Sequence, residues 1–422
     1  MDMHIAIVSG EYPPRWGGIG SVVFHLSAHL VERGHEVSII TRSHNNRPPS
    51  QEGVEVIPVR WAPLPMAFTR SYGKNAIKAL RKLHARKPID IINAHLPLVS
   101  WKAKEFRFLA ANIAPVVSCL HGSWLGEKEG VKRAAAAKES ATWANPNDLA
   151  ILTTGKYYSR YERAGVLESA ICVANSKSTL GEFKKWYRPN DDFDCEVILW
   201  GCDHKVFRPP NQDLESEQLA HESLRTRYGC DDEEALSYAP STKTPMLLAV
   251  GRLVARKGYM TLLRAMPKIL SKNPGAKLVI VGRGHMRKSL EKNAKKLGVL
   301  ESIHIRSSLS FEELAQHFRS ADLVVYPSYY EGQGLIPLES LASGTPVATV
   351  DAAPLTEMIT QENGGLFKRG DSEDLARCVN EMLSNTNRIE KASIGRQMVL
   401  NKFTYEHNAE SYEKVFLRAI EK

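Results

Sequence analysis

Apolar and polar positions along this chain keep two rhythms, one of strands and one of helices, and the alternation restarts about halfway. In the first half, short apolar runs stand at His4–Ser9, Glu36–Thr41, Val54–Val59, Ile89–Asn93, Val116–Leu120, Ala170–Ala174 and Glu196–Leu199. Between them apolar residues return at helical spacing, first from about Ser21 to Arg33. The second half repeats the scheme at Met246–Val250, Lys277–Val281, Ser302–Ile305, Asp322–Tyr326 and Pro346–Val350. Strands that alternate with helices imply right-handed parallel crossovers and a doubly wound sheet. Two such series predict an α/β chain of two Rossmann-like domains facing across a cleft, with ligands beyond the carboxyl ends of the strands. Pro209–Thr244 is rich in charged and small polar residues, with one short helical stretch near Glu222–Tyr228, and reads as a linker. The expected division is therefore 1–208, a linker 209–244, 245–402, and a last segment 403–422 that is helical from Tyr405 to Ile420.

A length of 422 residues fits two domains of about 200 residues each. The six cysteines are scattered without a C-x-x-C pair, so neither a zinc cage nor a disulfide framework is expected. No window holds a membrane-spanning apolar run, and the first strand begins without a basic, apolar leader. A cytosolic protein is expected. The net charge of +9 calls for an anionic partner without choosing between nucleic acid, acidic membrane and phosphorylated substrate. Its distribution is more telling. Arg70, Lys74, Lys78, Arg81, Lys82, Arg86 and Lys87 share a helix with Phe68, Tyr72, Ile77, Leu80 and Leu83 at helical spacing. Such a helix either packs its apolar stripe on its own domain or lays it on an anionic membrane.

The strongest chemical pattern is Glu331-Gly-Gln-Gly-Leu-Ile-Pro-Leu-Glu339, after the run ending at Ser328. Pro337 suits the first turn of a helix, which puts Gly332 and Gly334 at its N-terminus. Exposed amides and the helix dipole there favour a phosphate, and glycines let it approach closely. Carboxylates on either side suit hydroxyl-bearing groups, and a nucleotide diphosphate sugar has that layout. In Val250-Gly-Arg-Leu-Val-Ala-Arg-Lys-Gly258, Arg252 and Lys257 are placed to stabilise charge on a departing diphosphate. The loop Glu11–Gly20 lacks G-x-G-x-x-G spacing and an acidic residue at the end of the second strand, so it does not read as a dinucleotide site. His121 and Gly122 follow a strand at the edge where a cleft is expected. Asp192-Phe-Asp194 has the D-x-D form of some metal sites but lies in a polar stretch far from either glycine loop, and no metal is expected there.

The segment from Glu331 to Glu339 resembles the E-x7-E signature of retaining GT-B glycosyltransferases of family 4, and Gly251-Arg252-Leu253 through Lys257-Gly258 resembles that family's diphosphate-gripping motif. The resemblance implies a hexose transferred from a GDP- or UDP-sugar, of mannose, glucose or N-acetylglucosamine type, to a lipid-linked, polysaccharide or small-molecule acceptor. The nucleotide sugar is a substrate, and no cofactor or essential metal is implied. By residue, it implies Glu331 on the hexose, Glu339 on the ribose, Arg252 and Lys257 on the diphosphate, and Gly332, Gln333, Gly334 and Leu335 around the donor. It also implies Gly17 and Gly18 near the donor phosphate, His121 beside the sugar, and a last helix that returns to the first domain. Gln333 departs from the family pattern, as do Trp200 and Cys202 within the Gly201, Asp203, Phe207, Pro209 hinge pattern. Likeness is weakest over residues 43–85 and 122–168, where an acceptor would be chosen. Membrane-associated members use a basic patch on the N-terminal domain, so a peripheral site on the inner face of the cell membrane is a further expectation; nucleic acid is not an expected partner. The rival readings are a nucleotide-sugar epimerase, a glycosidase with the two glutamates as acid and base, and a basic adaptor without enzymatic activity.

Overall fold

The computed structural model describes residues 2–14, 17–140, 142–211, 213–231, 243–307, 309–384 and 387–422. The chain forms two compact units, the first made of Met1–Glu129, Pro146–Gly201 and Thr404–Lys422, the second of Gly130–Asn145 and Cys202–Phe403.

The first unit is built on β1 (His4–Val8), α1 (Gly18–Glu32), β2 (Glu36–Arg42), β3 (Val54–Val59), α2 (Ala67–Arg86), β4 (Ile91–Leu96), α3 (Ala103–Asn112) and β5 (Val116–Leu120). After α4 (Trp124–Ala136), which runs from one unit's residues into the other's, come α5 (Pro146–Glu168), β6 (Ile171–Ala174), α6 (Lys177–Tyr187) and β7 (Cys195–Val197). All strands pair in parallel in the order β3-β2-β1-β4-β5-β6-β7, so the winding reverses between β1 and β4. Successive strand residues feed opposite faces, as the period of two requires. Ala6, Val8, Ile92, Ala94 and Leu96 pack against α2, α3 and α6, while Ile5, Ile7, Ile91, Val117 and Cys119 pack against α1 and the last helix of the chain.

The basic helix is α2, and its apolar stripe is buried. Tyr72, Ala76, Leu80 and Leu83 belong to the core of the first unit, with Ile77 packed beside them. The expectation that this stripe could lie on a membrane is corrected: the strands already cover it, and only cations remain on the outer face. Lys74, Lys78, Arg81 and Lys82 are exposed there, while Arg70 is paired with Glu105, Arg86 with Glu55 and Lys87 with Glu36. Among the described residues no helix is long and apolar enough to cross a membrane.

The second unit begins with α7 (Glu215–Tyr228), inside the stretch expected to be linker. It is no tether, because Arg225 of α7 is fully buried, donates to Asp322 Oδ2 at 3.0 Å and reaches the carbonyls of Ser320, Cys230 and Thr244. Residues 212 and 232–242 of that stretch lie outside the described residues. There follow β8 (Met246–Val250), α8 (Tyr259–Lys272), β9 (Lys277–Val281), α9 (Arg287–Lys296), β10 (Ile303–Arg306), α10 (Phe311–Ser320), β11 (Leu323–Tyr326) and α11 (Leu335–Ala342). Then come β12 (Val347–Val350), β13 (Gly365–Phe367), α12 (Ser372–Ser384) and α13 (Arg388–Lys402). The parallel sheet runs β10-β9-β8-β11-β12-β13, with its reversal between β8 and β11. The final helix, α14 (Tyr405–Glu421), belongs to the first unit, where Tyr412, Val415, Phe416 and Ala419 join the core.

Segment Gly130–Asn145 lies before the second sheet in sequence but belongs to the second unit. Glu139 anchors it: its carboxylate accepts from the amides of Met260 at 2.8 Å and Thr261 at 2.9 Å, two donors in the first turn of α8 that have no intrahelical acceptor. The Thr261 hydroxyl also bonds Glu139, and Arg264 holds the carbonyls of Ala137 and Lys138.

Candidate active site

In the second unit, the expected donor residues gather at the carboxyl ends of β8 and β11, where the winding reverses. The turn Ala255–Lys257 after β8 is held close to the end of β11 by Gly258, which has φ +75°; a Cβ there would lie 2.1 Å from the carbonyl oxygen of Pro327. This contact brings Lys257 onto Glu331. Lys257 Nζ pairs with Glu331 Oε1, and the same oxygen accepts from Tyr326 OH at 2.7 Å and Ser328 Oγ at 2.6 Å, while Nζ also donates to Tyr326 OH at 2.8 Å. Burial works against the Glu331 carboxylate, but Lys257, Ser328 and Tyr326 outweigh it and hold its pKa below the ordinary value. Burial also lowers the pKa of Lys257, with Glu331 opposing and the like charges of Arg256 and Arg252 adding to the depression. Arg252 itself is exposed. Tyr326 and Ser328 are site residues that sequence reasoning missed, because they read as the end of an apolar strand.

Past Glu331, Gly332 and Gln333 lead to Gly334, which caps α11 with φ +104°. Leu335 opens the helix, with Pro337 in its first turn, so the amides of this bend stand at a helix start as expected. Gln333 is buried and its Nε2 lies 3.5 Å from Met358 Sδ. Glu339 lies one turn inside α11. Its pKa is pushed up to about 8 by burial and then by the carboxylate of Asp203, and its buried Oε2 has no hydrogen-bond partner among the described residues. A buried acceptor left without a donor is costly in a folded protein, and a ligand hydroxyl would remove that cost.

In the first unit, Gly17 caps α1 and Gly18 opens it. The seat at this helix start is taken by the chain's own Glu11, whose Oε2 is 3.4 Å from the amide of Gly20; a Cβ on Gly17 would fall 2.5 Å from that carboxylate. Residues Arg15 and Trp16 of the same loop lie outside the described residues. His121 follows β5, buried, with its ring 5.0 Å from that of Trp200. Its Nε2 lies 2.8 Å from Nδ1 of His95, a third residue that sequence reasoning missed. The signal for His95 was present: Asn93 and His95 are polar residues two apart at the end of an otherwise apolar run. Asp194 is engaged by Arg418 at 2.9 Å and Lys422 at 2.7 Å, ion pairs to α14 that give the D-x-D triplet a structural task. Asn175 donates to the His121 carbonyl at 3.4 Å, and Ser176 caps α6.

Comparison with known proteins identifies the family and the fold. The profile of glycosyltransferase family 4 matches residues 16–205 and that of the glycosyl transferases group 1 matches residues 231–397. An uncharacterised glycosyltransferase of Methanocaldococcus jannaschii is 30% identical over 99% of both chains. A glycogen synthase of Mycobacterium tuberculosis is 28% identical over 99% of this chain and 95% of its own. The structure of sucrose-phosphate synthase from Thermosynechococcus elongatus superposes with a TM-score of 0.78 at 20% identity, covering 99% of this chain and 98% of that one, and so shares the fold. The chain thus belongs to glycosyltransferase family 4, the glycosyl transferases group 1, and is a retaining enzyme of GT-B fold that transfers a sugar from a nucleotide sugar.

Proposed function

We propose that this enzyme is a hexosyltransferase that takes a mannose-, glucose- or N-acetylglucosamine-type hexose from a GDP- or UDP-sugar and passes it to a lipid-linked, polysaccharide or small-molecule acceptor. Glu331 meets the hexose, Glu339 the ribose, and Arg252 with Lys257 the diphosphate, with the amides around Gly332 to Leu335 lining the phosphate. Gly17, Gly18 and His121 serve the donor from the first unit. The observation that carries this reading is the ion pair between Lys257 and Glu331, which joins the two motifs at the strand reversal of the second sheet. A carboxylate tied to a cation and two hydroxyls is poorly suited to attack as a nucleophile. Same-face displacement through an oxocarbenium-like ion pair fits better: the departing phosphate takes the acceptor proton, and the protein supplies position and fixed charge. Family membership sets aside the epimerase, glycosidase and adaptor readings.

Arg252 gives the clean test, since it is exposed and its loss leaves no buried partner behind. With a panel of UDP- and GDP-hexoses, Arg252→Ala should lower kcat/KM for the accepted donor by about a hundredfold, at an unchanged unfolding midpoint. Activity within a few-fold of the parent enzyme would refute its role on the diphosphate.

A further inference from the structure

A row of polar side chains is buried at the ends of β4 and β5 in the first unit: Asn93, His95, Cys119 and His121. Their hydrogen bonds can be assigned a direction from one fixed point. The carbonyl oxygen of Val117 can only accept, so the Asn93 side chain must turn its amino group toward it, at 3.3 Å, and the same group reaches Cys119 Sγ at 3.1 Å. The carboxamide oxygen of Asn93 is left facing His95 Nε2 at 2.9 Å, and that nitrogen must therefore carry a proton. A neutral imidazole has one N–H, so His95 Nδ1 is a bare acceptor. His121 Nε2, 2.8 Å away, has to donate to it. The same count leaves His121 Nδ1 as a lone pair, buried and without a hydrogen-bond partner among the described residues.

Both rings are neutral at physiological pH. Burial lowers the pKa of His95 to about 3, and burial followed by His95 lowers that of His121 well below its ordinary value. Two protons on the facing nitrogens of the pair would put N–H against N–H, which the 2.8 Å separation does not allow.

We propose that His95, oriented by Asn93, is a positioning residue that locks His121 in its Nε2–H tautomer and so reserves Nδ1 as an acceptor for a hydroxyl of the bound sugar. The opposite tautomer would present an N–H and favour a phosphate oxygen instead, so the lock makes this position read hydroxyl groups. The owner of that hydroxyl rests on the glycosyltransferase reading above. The tautomer does not, since it follows from Asn93, Val117 and the neutrality of the two buried rings.

Long-range proton–nitrogen spectra of the full chain labelled with 15N-histidine, at pH 7.5 and without ligand, read the tautomer directly. His121 should be protonated at Nε2 and bare at Nδ1. His95→Phe removes the acceptor, so His121 should lose its single tautomer, and kcat/KM should fall about tenfold or more for whichever of UDP-glucose and GDP-mannose the enzyme uses. His95→Asn keeps a carboxamide oxygen at the reach of Nδ1, where it can accept from His121 Nε2, and should keep both the tautomer and most of the rate. A proton on Nδ1 in the parent protein overturns the proposal, and so do equal tautomers and rates in the two variants. One equivalent of bound zinc does the same, because the ligand-type atoms of His95, Cys119 and His121 lie within 4.8 Å of one another and a metal would take the nitrogens the relay uses. Lack of turnover with both sugars counts against the donor reading alone, as the tautomer is read in the free protein.

Discussion

Glu339 combines a raised pKa of about 8 with an unused buried oxygen, which makes it a proton-linked contact. At pH 7 the free protein mostly holds a proton on this carboxyl group, whereas the two ribose hydroxyls proposed to meet it are best accepted by the ionised form. Nucleotide diphosphate binding at pH 7 should therefore release a proton, and affinity should climb from pH 6 toward pH 8 and level off above it. In the unliganded protein the sign for stability is opposite: the unfolded chain gives up this proton near 4.5 and the folded one near 8, so folding loses stability as pH rises between them. Calorimetry in two buffers of different ionisation heat measures the proton release. Its persistence in Glu339→Gln would place the proton elsewhere. At this scale charge and glycine at fixed spacing singled out Lys257 and Glu331, which the structure brings together. The sequence was not legible at Tyr326 and Ser328, whose hydroxyls face Glu331 through the local turn after β11, a bend that apolar periodicity does not describe.

Helix α2 shows how one element can be read in two ways from its pattern. Basic residues on one side and apolar ones on the other suit a membrane surface as well as a domain surface, and the choice depends on what lies beneath. Here it is the core, where Leu80 is wholly buried. Leu80→Ala should cost about 2–5 kcal/mol in denaturant unfolding. Lys74→Ser, on the exposed face, should change stability by less than about 0.5 kcal/mol. Comparable losses in the two variants would mean that the stripe is not what holds the helix. Strand β4 was legible only in part. Apolar residues mark its start, but its end is written in Asn93 and His95, polar side chains that satisfy each other inside a parallel sheet buried on both faces. Strand β13 has three residues and no periodicity to detect. Helix α7 was legible only in its second half, near Glu222–Tyr228, and its place in the second unit was not, because its buried anchor, Arg225, is itself charged and finds its partner, Asp322, nearly a hundred positions later.

At the scale of the whole chain, alternating strands and helices were enough to foresee two parallel sheets, and the last helix was expected with the first domain on the strength of the family resemblance. Nothing in the periodicity indicated that Gly130–Asn145 belongs with the second unit, because what ties it there is the Glu139 carboxylate and two carbonyls, all bonded to residues more than a hundred positions away. Burial raises the pKa of Glu139 against the pull of its hydrogen bonds from Thr261 and Met260, which limits how much the contact stabilises; by analogy with helix caps, Glu139→Ala should cost about 1–2 kcal/mol. A urea midpoint unchanged within error would show that α8 does not need this acceptor. The same segment sets rules for recombination between relatives. The second unit cannot be exchanged as one uninterrupted stretch, since it is encoded in two separate pieces, Gly130–Asn145 and Cys202–Phe403. A hybrid gene joined once near residue 208 would pair one parent's Glu139 with the other parent's α8, whereas a cassette carrying both pieces would inherit the cap together with the helix it closes.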